Sequence, residues 1–183
     1  MLGAVCERVI AAVPAGHEDD EGDDYERVAG GPSRSESVRN ALAVAPEAEI
    51  AVVHDAARPL VTVDLVERCI AAIHAPGVDG AVAAAPVADT IKEADASGRV
   101  LQTLDRRALW AIQTPQVFWA PKLRDALDVD PDALAGATDD AGLVESAGGT
   151  IAIVEAPPEN LKVTTALDLR LAELLLARRT ADA

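Results

Sequence analysis

Two rhythms of apolar residues alternate along the chain, short Val- and Ile-rich runs of strand character and longer stretches with apolar residues at helical spacing. RVIAAVP (8–14) reads as a strand and leads into an acidic run, Glu18–Asp24, expected to be a solvated loop. Ser33 stands three residues before Glu36, a capping-box signature, and Val38, Ala41, Leu42 and Ala45 follow on one helical face. EIAVVHD (49–55) predicts a strand buried on both faces, and Thr62 can cap a helix that aligns Leu65, Val66, Cys69, Ile70 and Ile73. GAVAAAPV (80–87) predicts another buried strand. From Thr90 to Asp105 the pattern turns polar around ASG and predicts a projecting hairpin. AIQTPQVF (111–118) predicts a strand, Lys122–Leu127 a short helix, and ATDDAGLVESAGG a helix that stops at a glycine pair. TIAIVEA (150–156) predicts a strand, and the final helix displays Leu167, Leu171, Leu174 and Leu175. Such alternation predicts an α/β fold, a Rossmann-like, mainly parallel sheet with helices on both faces.

Length and composition fit one domain over residues 1–183, because half of the 183 residues are hydrophobic and no linker divides them. One Phe, two Trp and one Tyr leave the core to aliphatic packing and make base stacking an unpromising mode of binding. A formal charge of −15 argues against a nucleic-acid or anionic-membrane surface, although a pocket can be locally positive on an acidic protein. Cys6 and Cys69 form no C-x-x-C motif and the three histidines have no ligand spacing. The N-terminal MLGAVCERVIAAVPAG lacks a basic region and is interrupted by Glu7 and Arg8, so it does not read as a signal peptide. No segment approaches the length of a membrane span, and a cytoplasmic protein with reduced thiols is expected.

In an open parallel sheet, ligands bind beyond the carboxyl ends of the strands, and HDAARP (54–59) sits at such an end. Asp55 there suits a cation, most simply Mg²⁺ bridging phosphates, and Arg58 suits a phosphate held by a fork of hydrogen bonds. The alternative is that Asp55 only stops the strand and pairs with Arg58 at the surface. GGPSRSES (30–37) offers Gly31 amide and Ser37 hydroxyl groups at a helix start. Thr90 and Lys92 open the hairpin, Arg106 and Arg107 close it, Thr114 precedes Pro115, and Lys162 lies just before the last helix.

HDAARP, the DTIK that opens the hairpin, DR at 105–106, QTPQ at 113–116, TDDA at 138–141 and ENLKVTTALDL near the C-terminus occur together and in order. In this the chain resembles the 2-C-methyl-D-erythritol 4-phosphate cytidylyltransferases of the non-mevalonate isoprenoid pathway, from about residue 5 onward. The resemblance implies CTP and methylerythritol phosphate as substrates and CDP-methylerythritol and pyrophosphate as products. It implies that Asp55 coordinates Mg²⁺ and that Gly31, Ser37, Asp55 and Ala56 lie against the nucleotide. Arg58, Thr90, Arg106, Thr114 and Lys162 would hold the acceptor, with Arg106 and Lys162 as catalytic residues that aim its phosphate oxygen at the α-phosphorus. It further implies a homodimer joined through the 90–105 hairpin as a dimerisation arm, with both chains lining each site.

The family pattern also contains a Gly-rich PAAGxGxR loop followed by PKQ, and neither occurs in these 183 residues. Pro32 and Gly142 are smaller departures, standing where an acidic residue and a serine are usual. The expectation is a chain lacking roughly the first quarter of a family member, including a central strand, with two strands left unpaired along one edge. Little or no activity is therefore expected of this polypeptide, since each missing charge-stabilising donor can cost about 10²–10³ in rate. Two alternatives remain at this level: a cytidylyltransferase for another polyol phosphate, such as ribitol 5-phosphate, and a non-catalytic truncated paralogue.

Overall fold

The computed structural model describes residues 2–18 and 25–181, so most of the acidic run at 18–24 lies outside the described residues. Strand β1 (Ile10–Val13) pairs in parallel with β2 (Glu26–Ala29), a short strand that the apolar pattern does not reveal. Helix α1 (Arg34–Ala43) begins where the capping box predicts: the Ser33 hydroxyl accepts from the Glu36 amide, and the Glu36 carboxylate accepts from the Ser33 amide. Strand β3 (Ile50–Val53) leads into HDAARP, and helix α2 (Val63–Ile73) starts on Thr62, whose hydroxyl accepts from the Leu65 amide.

Strand β4 (Gly80–Pro86) leaves the body for the hairpin of β5 (Lys92–Ala94) and β6 (Val100–Thr103), a separate two-stranded sheet whose residues are all exposed. The chain returns through a 3₁₀ turn, Arg106–Ala108, into β7 (Trp110–Trp119). Helices α3 (Ala120–Leu127), α4 (Pro131–Gly136) and α5 (Asp140–Ser146) precede β8 (Ile151–Glu155), and α6 (Ala166–Ala181) follows it.

The larger sheet has the order β3-β7-β4-β8. β3 and β4 both pair antiparallel with β7, and β8 is parallel to β4, so three strands share a direction and β7 alone opposes them. A parallel neighbour needs a crossover connection, usually a helix, and only the hairpin joins β4 to β7. Reversal of β7 is the consequence. Among the described residues β3 is paired on one edge only, and β1–β2 forms a sheet of its own. The free edge also corrects one expectation. β3 is half-buried throughout, not buried on both faces.

Alternation along the strands sends side chains to two cores. Val82 and Phe118 point toward α1, α3, α4 and α5, where they meet Leu42, Leu123, Leu127, Leu134 and Val144. Ala81, Ala83 and Val117 point the other way, against Leu65, Val66, Cys69 and Ile73 of α2. Each large side chain fully buried here contributes about 1.5–3 kcal/mol relative to exposure. The small alanines of β4 let α2 approach closely. By contrast α6 leaves Leu167 73%, Leu171 47% and Leu174 65% exposed, while Ala172 is buried.

Candidate functional site

The carboxyl ends of β3 and β8 and the first half of β7 meet at a crevice of about 340 Å³, lined by Arg34, Asp55, Arg58, Thr114, Gln116, Asp139 and Lys162 among others. Asp55 is its centre. One carboxylate oxygen lies 2.9 Å from the Lys162 ammonium and 4.0 Å from Arg58 Nε, and the other lies 3.4 Å from Arg34 Nε. Burial would raise the Asp55 carboxyl, but the Lys162 hydrogen bond and the Arg34 and Lys162 charges outweigh it and hold the group below the usual carboxylate range. Three cations thus face one carboxylate on a chain of net charge −15.

The backbone of this strand end is fixed by side chains that HDAARP and QTPQ supply. The Asp55 amide donates to Thr114 Oγ1 at 3.0 Å, which leaves the Thr114 hydroxyl proton for His54 Nδ1 at 3.1 Å. His54 then donates from Nε2 to the Arg58 carbonyl at 3.1 Å. This assigns a neutral Nε2–H imidazole, and burial lowers the His54 pKa in the same sense. A cis peptide joins Thr114 to Pro115 at this point.

Arg58 is buried to 9% exposure, and its Nη1 donates to the Asn160 carbonyl at 2.8 Å. Among the described residues its buried Nε has no hydrogen-bond partner. Arg34 reaches across from α1 to Asp140 at the start of α5, at 2.7 Å. Asp140 is wholly buried, and burial raises its carboxyl pKa against the pull of Arg34. Gln116 braces the same corner, donating to Asp139 at 2.9 Å and accepting from the Ala141 amide at 3.2 Å.

Of the residues expected to act, Asp55, Arg58, Thr114 and Lys162 are brought together in the crevice. Ala56 lines an adjoining cavity of about 680 Å³, shared with His54 and Arg58 and reaching toward β1 through Val9 and Tyr25. Gly31 and Ser37 satisfy each other at the α1 N-terminus, the Gly31 amide donating to Ser37 Oγ at 3.0 Å. A side chain at Gly31 would bring a Cβ to 2.3 Å from Glu36 Cβ, so this turn requires glycine. Thr90 and Arg106 are exposed at the base of the hairpin, where Arg106 donates to the Ala88 carbonyl, and neither lines the crevice.

Sequence inspection passes over Arg34, His54, Asp140 and Asn160 as site residues. Arg34 and Asp140 lie inside motifs it quotes, GGPSRSES and TDDA, and an arginine in a capped first turn, where acidic residues are favoured, was the available signal. Among the described residues, no three His, Cys, Asp or Glu side chains are grouped to cage a metal.

An open α/β sheet with a cation-lined crevice at the carboxyl ends of its strands defines the broad class of this protein. Within that class the chain belongs to the IspD family, the 2-C-methyl-D-erythritol 4-phosphate cytidylyltransferases, whose sequence model matches residues 3–178. The 2-C-methyl-D-erythritol 4-phosphate cytidylyltransferase of Nocardia farcinica is 50% identical over 154 residues, 84% of this chain and 65% of that protein. That of Rubrobacter xylanophilus is 47% identical over 151 residues, 81% of this chain and 64% of its own length. The chain therefore spans slightly less than two thirds of either relative. The crystal structure of the Thermus thermophilus enzyme of the same name superposes with a TM-score of 0.80 at 35% identity, over 92% of this chain and 81% of that one.

Proposed function

We propose that the crevice is the metal- and acceptor-facing part of a site that transfers a cytidylyl group from CTP to 2-C-methyl-D-erythritol 4-phosphate, giving CDP-methylerythritol and pyrophosphate. The observation that carries this reading is the convergence of Arg34, Arg58 and Lys162 on Asp55 beside Thr114. Family membership supports the choice of the two substrates.

Mg²⁺ fits Asp55 in one way. Asp139 is already committed to Gln116 and the Gly142 amide, so Asp55 is the carboxylate that the crevice offers, and no protein cage surrounds it among the described residues, which is the donor set of an ion that arrives on phosphates and keeps its waters. When bound, the ion would neutralise triphosphate charge next to Asp55. The protein's own residues do the positioning. Asp55 would hold the ion through the carboxylate that now binds Lys162, and the Lys162 ammonium, 45% exposed, is placed to bind an acceptor phosphate. Arg58 cannot swing, being buried and fixed to the Asn160 carbonyl, and presents a set charge whose Nε has no protein acceptor. Thr114 keeps Asp55 in register through its backbone amide. Positioning and charge neutralisation are what nucleotidyl transfer chiefly requires.

Gly31, Ser37 and Ala56 complete the nucleotide side in this reading, and Thr90 and Arg106 serve from the arm. Neither of these two lines the chain's own crevice, which favours a homodimer in which the base of each arm serves the partner's site. A reaction that consumes CTP draws on the cytoplasmic nucleotide pool.

The test is calorimetric binding of Mg²⁺–CTP and of methylerythritol phosphate to the 183-residue polypeptide, with pyrophosphate release followed in parallel. Expected are binding of methylerythritol phosphate that Lys162→Met weakens at least tenfold, and weaker binding of ribitol 5-phosphate. Turnover of the polypeptide by itself should be slight, because PAAGxGxR and PKQ are not in its sequence. Tighter binding of ribitol 5-phosphate would move the assignment to that acceptor. Binding of neither alcohol phosphate would favour the non-catalytic reading.

A further inference from the structure

Lys162 and Arg58 face the crevice from segments without regular structure, and something must hold those segments still. Residues 156–165, between β8 and α6, form no helix or strand. Lys162 is half-exposed, and among the described residues no partner apart from Asp55 fixes its ammonium. The backbone is tied down on both sides of it. The Val163 amide donates to the Ala57 carbonyl at 2.7 Å, and Asn160 is buried to 1% exposure among groups from β7 and the HDAARP turn.

We infer that Asn160 is the positioning residue of the acceptor side, joining Lys162, Arg58 and Thr114 into one rigid cradle. This rests on the reading given under Proposed function. The side-chain amide of Asn160 donates to Thr114 O at 3.0 Å and to Gln113 Oε1 at 2.8 Å, spending both protons on β7. Its backbone carbonyl accepts the Arg58 guanidinium at 2.8 Å. Three groups that meet the ligand, on three separate segments, are thereby referred to one residue two positions from Lys162. The two side-chain bonds need a carboxamide, since a carboxylate of the same shape cannot donate to a carbonyl. Asn160 Oδ1 is buried with no partner among the described residues, so the side chain is held at the cost of an unsatisfied acceptor, as expected where placement outweighs stability.

The experiment compares the full chain with Asn160→Ala and Asn160→Asp. Amide hydrogen exchange, which needs no ligand, reads the pinning directly. The Val163 amide is expected to exchange at least tenfold faster in both variants while amides of β4 and α2 keep their protection. Calorimetry with methylerythritol phosphate and with Mg²⁺–CTP reads the consequence: acceptor affinity should fall about 10–100-fold and nucleotide affinity no more than a few-fold. Asn160→Asp, which conserves volume, should behave like Asn160→Ala. Unchanged exchange at Val163, or protection lost equally throughout the sheet, would overturn the inference, as would an equal loss of both ligands. If the unsubstituted chain binds no polyol phosphate, the acceptor assignment fails while the exchange comparison still decides the role of Asn160.

Discussion

Arg34 and Asp140 show how one residue pair couples stability to the site. Asp140 has no exposure, and only one of its oxygens is hydrogen-bonded, so its charge depends on the Arg34 guanidinium. Removing one partner of a buried pair leaves an uncompensated charge, whereas neutralising the buried member in place does not. Arg34→Met is accordingly expected to destabilise the fold by about 3 kcal/mol, the low end of that effect because Arg34 is itself a third exposed. Asp140→Asn should cost only about 1 kcal/mol, since its amide oxygen still accepts from Arg34. Urea midpoints of the two variants test the order. Equal losses would show that the pair contributes shape rather than charge.

At the scale of elements, the end of the sheet remote from the crevice is tied by Asp79. Its carboxylate accepts from the Thr150 amide at 2.9 Å, ahead of β8, and lies 3.3 Å from Lys122 at the start of α3. The Thr150 hydrogen bond, assisted by Lys122, lowers the Asp79 pKa below its ordinary value of 3.8. A carboxylate with a depressed folded pKa stabilises the native state above its unfolded pKa and ceases to do so as pH falls through the folded value. The stability difference between the unsubstituted chain and Asp79→Asn should therefore be constant from about pH 7 to pH 5 and shrink below about pH 4. A difference that grows on acidification would contradict this role. Next to it, Gly80 admits no side chain, because a Cβ would sit 2.4 Å from Phe118 Cδ1. Gly80→Ala is expected to cost about 1–3 kcal/mol in a thermal or urea melt.

At the scale of the whole molecule, the exposed hairpin and the uncovered leucines of α6 are two apolar surfaces left open among the described residues. Val100 and Leu101 of the arm are 55% and 59% exposed, and the arm forms a sheet of its own. In the dimeric reading the arm is where chains join, so replacing residues 92–103 by a short Gly-Ser turn should yield a monomer by sedimentation velocity with β4 and β7 intact. A variant that sediments as the parent does would remove the arm from the interface.

Much of this architecture was legible locally. Capping by Ser33 and Thr62, the apolar face of α2 and the polar hairpin follow from side-chain chemistry within a few residues of each other, and HDAARP with QTPQ located Asp55, Arg58 and Thr114. The short strand β2 and helix α4 left too little pattern to read. What the tertiary structure decided are relations between distant segments: the reversal of β7, the half-buried state of β3, the open leucines of α6, and the meeting of Arg34 with Asp140 and of Asn160 with Arg58. Those contacts span 106 and 102 residues. Periodicity reports only which side of an element is apolar. Which polar group it meets depends on packing, and there a lone arginine or asparagine becomes part of a site.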